Sequence, residues 1–256
     1  MKILWAHGLE SSAEGSKPTW MVENLGWDVV SPAMSENGWT IAEQTEVVVR
    51  AIEENDDLDV IMGSSYGGLA IANAAARFRD HPLRLVLMAP AFGLAENFRA
   101  QAGEAGLREW EESDSRAYFH HGFGHEVKFG WNFITSADEM SWPNLHHPTI
   151  IIHGMSDDIV PIEASRKVAS STDCVELIEV EDGHRLAESL HFMPLAVQRI
   201  LALSAINETR GNTHQFQGRS ECAEHRSCGL PFRSPRCNLD LSEPNSTVRS
   251  APQSAR

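Results

Sequence analysis

Residues 60–75 read "VIMGSSYGGLAIANAA": branched apolar residues, a knot of Gly and Ser, then an Ala-rich run. That order predicts a buried strand, a sharp turn and a helix. Gly63-Ser64-Ser65-Tyr66-Gly67 fits G-x-S-x-G centred on Ser65, a pattern that exposes a serine hydroxyl on a strained strand-to-helix turn. Glycines on both flanks let strand and helix approach closely, which leaves Ser64 as a small spacer. At ordinary Gly and Ser frequencies the pattern arises by chance about 0.1 times in a chain this long, so taken alone it also fits a plain Gly/Ser-rich turn. A phosphate loop of the G-x-x-x-x-G-K-[ST] type is excluded, because no lysine follows.

On either side, short apolar runs alternate with helical patterns. The runs are "KILWAH", "WDVVSPA", "DVIMGS", "LRLVLMAP", "TIIIHG" and "VELIEVE", most of them apolar on both faces as in a covered parallel sheet. Pro18 suits a first helical turn, and Gly26 terminates the helix on which Met21 and Leu25 share a face. Thr40 and Glu43 make a capping-box pattern ahead of Val48, Ala51 and Ile52, so "TIAEQTEVVVRAIEEN" reads as an amphipathic crossover. This βαβ rhythm implies an α/β fold with a mostly parallel sheet of about six strands flanked by helices.

In such sheets chemistry gathers beyond the carboxyl ends of the strands. A serine there needs a base to take its proton and a group to orient the base. "TIIIHG" runs into "MSDDIVP", which delivers Asp157 and Asp158; "VELIEV" runs into "EDGHRL", which delivers His184. Acids ahead of Pro161 also start helices, and a Gly-His turn is often only a turn. All three sites, however, fall at strand ends. The oxyanion of a tetrahedral intermediate needs two donors. The Leu9 N–H, in the outward turn after His7-Gly8, and the Tyr66 N–H, just after the serine, are the candidates. His7 is read as shaping its loop and is left out of the chemistry.

With these residues in place, the sequence resembles the α/β-hydrolase superfamily, and within it the small single-domain serine esterases. The resemblance covers residues 1–206 and rests on "HGLESSAEGSKPTW", "GSSYGG", "HGMSDDIVP" and "DGH". It implies the chain order Ser, Asp, His. The family pattern H-G-x-x-D-x-x-V-P selects Asp157 rather than Asp158 as the acid. "KILWAH" already takes the place of the family's third strand, which implies a minimal sheet.

Residues 93–147 form an insertion that holds 9 of the 19 aromatic residues in 55 positions, against 10 in the other 201. "AYFHHGFGHEVKFGWNF" alternates like a hairpin with "HHGFGH" at its tip. Some of these aromatics pack the hairpin onto the body; collectively they suggest a cap over Ser65, with Phe123 and Trp131 as candidate pocket residues. His120, His121 and His125 are read as loop residues rather than metal ligands.

The formal charge of −15 works against a nucleic-acid partner. No run approaches 18 consecutive apolar residues and "MKILWAHGLE" carries no cleavage signature, so no membrane insertion and a cytoplasmic location are expected. From Asn207 the chain loses all periodicity and becomes rich in Ser, Pro, Arg and Asn, which predicts a disordered tail over 207–256. Cys222, Cys228 and Cys237 lie there with His214 and His225, in a spacing that matches no standard zinc site. The expected function is therefore a serine hydrolase, without metal or cofactor, acting on a small-molecule acyl ester or thioester with an apolar acyl group. The alternative is a ligand-binding or interaction protein that keeps the hydrolase fold with little turnover. Nothing in the sequence sets an oligomeric state.

Overall fold

A computed structural model describes residues 1–203; the stretch read as a tail, with its three cysteines, lies outside them. The strands of the main sheet are β1 (Lys2–Ala6), β2 (Asp28–Val30), β3 (Val60–Ser64), β4 (Leu85–Met88), β7 (Thr149–Gly154) and β8 (Val175–Val180), in the order β2-β1-β3-β4-β7-β8. Every neighbouring pair is parallel. Six strands are thus present, as the sequence suggests, and the sheet is wholly rather than mostly parallel.

Helices cover both faces, because alternate residues of each strand point to opposite sides. Leu4, Ile61, Leu85, Leu87 and Ile151 face α2 (Ile41–Glu53), α3 (Tyr66–Ala75) and α6 (Ile162–Ser171). Ile3, Trp5, Val60, Met62, Val86, Met88, Ile150 and Ile152 face α1 (Ser16–Leu25) and α7 (192–203), which contribute Met21, Met193, Ala196, Val197 and Ile200.

The local signals act as read. Gly26 closes α1 in the left-handed conformation at φ 63°. Thr40 caps α2 with both arms of the capping box formed: its Oγ1 accepts from the Glu43 N–H and its own N–H donates to Glu43 Oε2. The insertion folds as α4 (Leu94–Ser113), bent at Gly103, the antiparallel hairpin β5 (Arg116–His120) and β6 (His125–Phe129), and α5 (Asn132–Met140). Its long helix was not anticipated, because Gly103 and Gly106 and a diffuse apolar pattern obscure its period. The sheet reverses its building direction at β1 and β3, which lie side by side, so a crevice opens beyond their carboxyl ends.

Candidate active site

Ser65 sits between β3 and α3 at φ 54°, ψ −118°, a conformation that costs about 1–3 kcal/mol for a residue with a Cβ. Surrounding hydrogen bonds hold it there. The Ser65 N–H donates to Met88 O (2.9 Å), and Ser65 O accepts from the N–H groups of Leu69 (3.1 Å) and Ala91 (3.0 Å). Gly67 makes the turn feasible, since a Cβ at that position would stand 2.3 Å from Ala6 O and 2.4 Å from His7 O. Helix α3 could not then start against the end of β1.

The structure brings Ser65, His184 and Asp157 into one hydrogen-bonded line from three strand ends. His184 Nε2 lies 3.0 Å from Ser65 Oγ and its Nδ1 lies 2.8 Å from Asp157 Oδ2. An ionised carboxylate only accepts, so Nδ1 carries the ring proton and Nε2 is free to accept from the serine hydroxyl. His184 is held in the turn closed by the Leu186 N–H on Gly183 O (3.1 Å). The Asp157 side chain is fully buried, while Asp158 is exposed. Burial pushes the Asp157 carboxyl up, but hydrogen bonds from His153, His184 and the Val160 N–H outweigh it and hold the group well below the usual carboxylate range.

His153 is the residue that sequence reading missed. It is completely buried at the end of β7, with Nε2 3.0 Å from Asp157 Oδ2. Its signal in the sequence is its place as the first residue of "HGMSDDIVP", four residues before the acid.

Of the two candidate oxyanion donors, Tyr66 follows Ser65 in the chain and Leu9 follows Gly8. Tyr66 opens α3, where the first N–H groups have no acceptor within the helix. Its ring is anchored away from the serine, stacked on Phe133 at 5.8 Å with its hydroxyl donating to Trp39 O at 2.7 Å. Leu9 follows Gly8, whose backbone lies against the serine: a Cβ on Gly8 would be 3.3 Å from Ser65 Cβ. The Ser11 N–H closes this turn on Gly8 O (3.1 Å). His7 sets the loop's path, its Nδ1–H donating to Gly8 O (2.9 Å) and its Nε2 accepting from the Met34 N–H (3.3 Å). Burial lowers its pKa and keeps it neutral.

The cap hairpin rests on that same loop. Tyr118 Oη donates to Glu10 Oε1, and a Cβ on Gly122 would stand 2.9 Å from Glu10 O. At the tip Phe123 is 43% exposed and stacks on His120 at 3.9 Å, with Trp39 at 6.0 Å. Trp131 lies edge-on to the buried Trp110 at 5.9 Å, and its backbone N–H donates to Asp114 Oδ1 at 2.6 Å. His121 packs against Phe119, and His125 bonds the Phe123 carbonyl at 3.1 Å. Burial, and after it the like charge of Arg185, lower the pKa of the Lys17 ammonium on α1. Among the described residues no helix is long and apolar enough to cross a membrane.

The fold recurs in solved structures. Est1E from Butyrivibrio proteoclasticus, solved with ferulic acid, superposes with a TM-score of 0.65 at 20% identity, over 80% of this chain and 89% of that one. Mouse alpha/beta hydrolase domain-containing protein 10 gives 0.56 at 21% identity over 83% and 90%. An extracellular alpha/beta-hydrolase from a Paenibacillus species gives 0.53 at 15% identity over 78% and 98%. At these identities the likeness is one of fold: the molecule is an α/β-hydrolase in architecture. Comparison with curated proteins gives no match. The model of the Uncharacterised protein family (UPF0227) matches residues 2–204, and the chain belongs to that family.

Proposed function

We propose that this protein is a serine hydrolase that cleaves a carboxylic ester or thioester with an apolar acyl group. The observation that supports it is the placing of His184 between Ser65 Oγ at 3.0 Å and Asp157 Oδ2 at 2.8 Å. In the first half-reaction Ser65 Oγ attacks the acyl carbonyl carbon while its proton passes to His184 Nε2. Negative charge on the former carbonyl oxygen is met by the N–H groups of Leu9 and Tyr66. Collapse of the intermediate breaks the bond to the alcohol or thiol, which leaves with the proton from His184, and the acyl group stays on Ser65. Water then attacks the acyl-enzyme, giving one proton to His184. Collapse releases the acid and returns that proton to Ser65. Asp157 holds the Nδ1–H tautomer throughout and balances the imidazolium charge. Phe123 and Trp131, on the cap that rests on the Leu9 loop, are assigned to the apolar acyl site.

A fluorophosphonate probe tests this together with nitrophenyl esters and acyl-CoA thioesters of graded chain length. Expected are labelling of Ser65, turnover of a subset of the acyl series, and loss of both in Ser65→Ala. Labelling without turnover of any acyl compound would instead favour a binding protein on a hydrolase scaffold.

A further inference from the structure

The hydrogen-bonded line from Ser65 does not end at Asp157. His153 Nε2 lies 3.0 Å from Asp157 Oδ2 and 3.0 Å from Val160 O. A backbone carbonyl accepts only, and so does an ionised carboxylate, so Nε2 carries a proton shared between them. On the far side of the ring, Nδ1 lies 2.8 Å from Ser165 Oγ on α6. The two acceptors at Nε2 fix the tautomer, so in the neutral ring Nδ1 is bare and accepts from the Ser165 hydroxyl, which can donate as well as accept. The other charged group facing His153 is Glu179, its register partner on β8, and that carboxylate is held by Arg166 at 2.8 and 2.6 Å.

Asp157 is thereby saturated. Oδ1 accepts from the N–H groups of Ile159 (2.9 Å) and Val160 (2.8 Å), and Oδ2 accepts from both histidines. Four donors on four lone-pair directions leave the carboxylate no freedom to rotate. A leucine would fill the fully buried end of β7, but it would leave Oδ2 with one donor and Val160 O with none.

We propose that His153, backed by Ser165, is a positioning residue for the acid: it fixes Asp157 Oδ2 and draws off part of the negative charge that would otherwise stabilise the His184 imidazolium. The assignment rests on the Ser65 reading above. Its consequence is read in the pH dependence of the Ser65 labelling rate, since removing the His153 donor would leave more charge on the Asp157 oxygen that faces His184. A hydrogen bond to a charged group is typically worth about 10- to 100-fold in an equilibrium or a rate.

The test is the rate of Ser65 labelling by a fluorophosphonate as a function of pH, in the full chain and in His153→Leu, His153→Gln and Ser165→Ala. In His153→Leu the plateau rate is expected to fall about 10- to 100-fold, and the midpoint of the acid limb to move up, because one donor has left the carboxylate. His153→Gln, whose amide N–H still reaches both acceptors, recovers most of the rate and the midpoint. Ser165→Ala moves the midpoint in the same direction by less, and serves if His153→Leu does not fold. Nitrogen NMR of the histidine rings is expected to find His153 protonated at Nε2 and bare at Nδ1, whatever the activity. A folded variant lacking the His153 or Ser165 contact with a wild-type midpoint, no rescue by Gln, or a proton on Nδ1 alone would overturn the proposal and leave His153 as a packing residue. Failure of the unsubstituted protein to label at Ser65 would instead remove the Ser65 reading, and the proposal with it.

Discussion

At the residue scale, two adjacent acids follow β7, and the structure treats them differently: the Asp157 side chain is fully buried between two histidines, while Asp158 is exposed. Asp157→Asn is expected to lower turnover by about 10⁴, because an amide can stabilise the wrong imidazole tautomer. Asp158→Asn is expected to leave it within about twofold, as for a surface charge. Measuring kcat for both, with folding checked by circular dichroism, decides the assignment. Stability reports on the same group. A carboxyl held below its unfolded value stabilises the fold fully above that value, about pH 3.9, and loses its contribution as pH falls further. The Tm of Asp157→Asn should therefore fall less steeply than that of the unsubstituted protein between about pH 5 and pH 2. Equal slopes would show that Asp157 is not held as a depressed carboxylate.

At the scale of elements, the turn at Ser65 and the helix caps carry different weights. Gly67→Ala would drive a Cβ into the backbone oxygens of Ala6 and His7, and neither can move without unpairing β1. The expected loss is about 3 kcal/mol or more. Thr40→Ala removes only one arm of a capping box, at a cost of about 1 kcal/mol, or about 2–4 °C in Tm. Comparable Tm changes in the two variants would contradict the tight approach of α3 to β1. In the cap, Phe123→Ala and Trp131→Ala are expected to change chain-length preference more than the Ser65 labelling rate. Trp131→Ala should also lower Tm, because its ring packs on the buried Trp110, whereas the half-exposed Phe123 should cost little. Unchanged preference in both would put the acyl site elsewhere. The hairpin itself was legible from alternation around "HHGFGH"; its docking on Glu10 was not, since no local pattern records a contact 108 residues away.

For the whole molecule, the charge is divided unevenly. Seven arginines and five acids give +2 over 207–256, which leaves −17 for residues 1–206. The family match ends at residue 204, and the last helical residues described are 192–203. A chain ending at Ile206 is expected to keep its Tm and its Ser65 labelling rate. A fall of several degrees on truncation would show that the remaining residues add packing to the folded part.

The sequence by itself determined the α/β class, the succession of strands, the strand-to-helix turn at Ser65 and the caps. Each is written in short-range patterns: strand residues buried on both faces, Gly where backbones must touch or φ must be positive, Thr and Glu three apart at a helix start. It also narrowed the candidate acid to two neighbours and the candidate base to one histidine. Tertiary structure decided which groups converge. Ser65 and His184 are 119 residues apart and His184 and Asp157 27 apart, and they meet because parallel pairing in the order β1-β3-β4-β7-β8 lines up strand ends that the chain visits at long intervals. His153 joins Asp157 for a reason of the same kind. It stands only four residues from the acid, but the loop must fold back far enough to bring Val160 O and the helix carrying Ser165 around its ring. No side-chain period encodes that return; the packing of α6 against the sheet does.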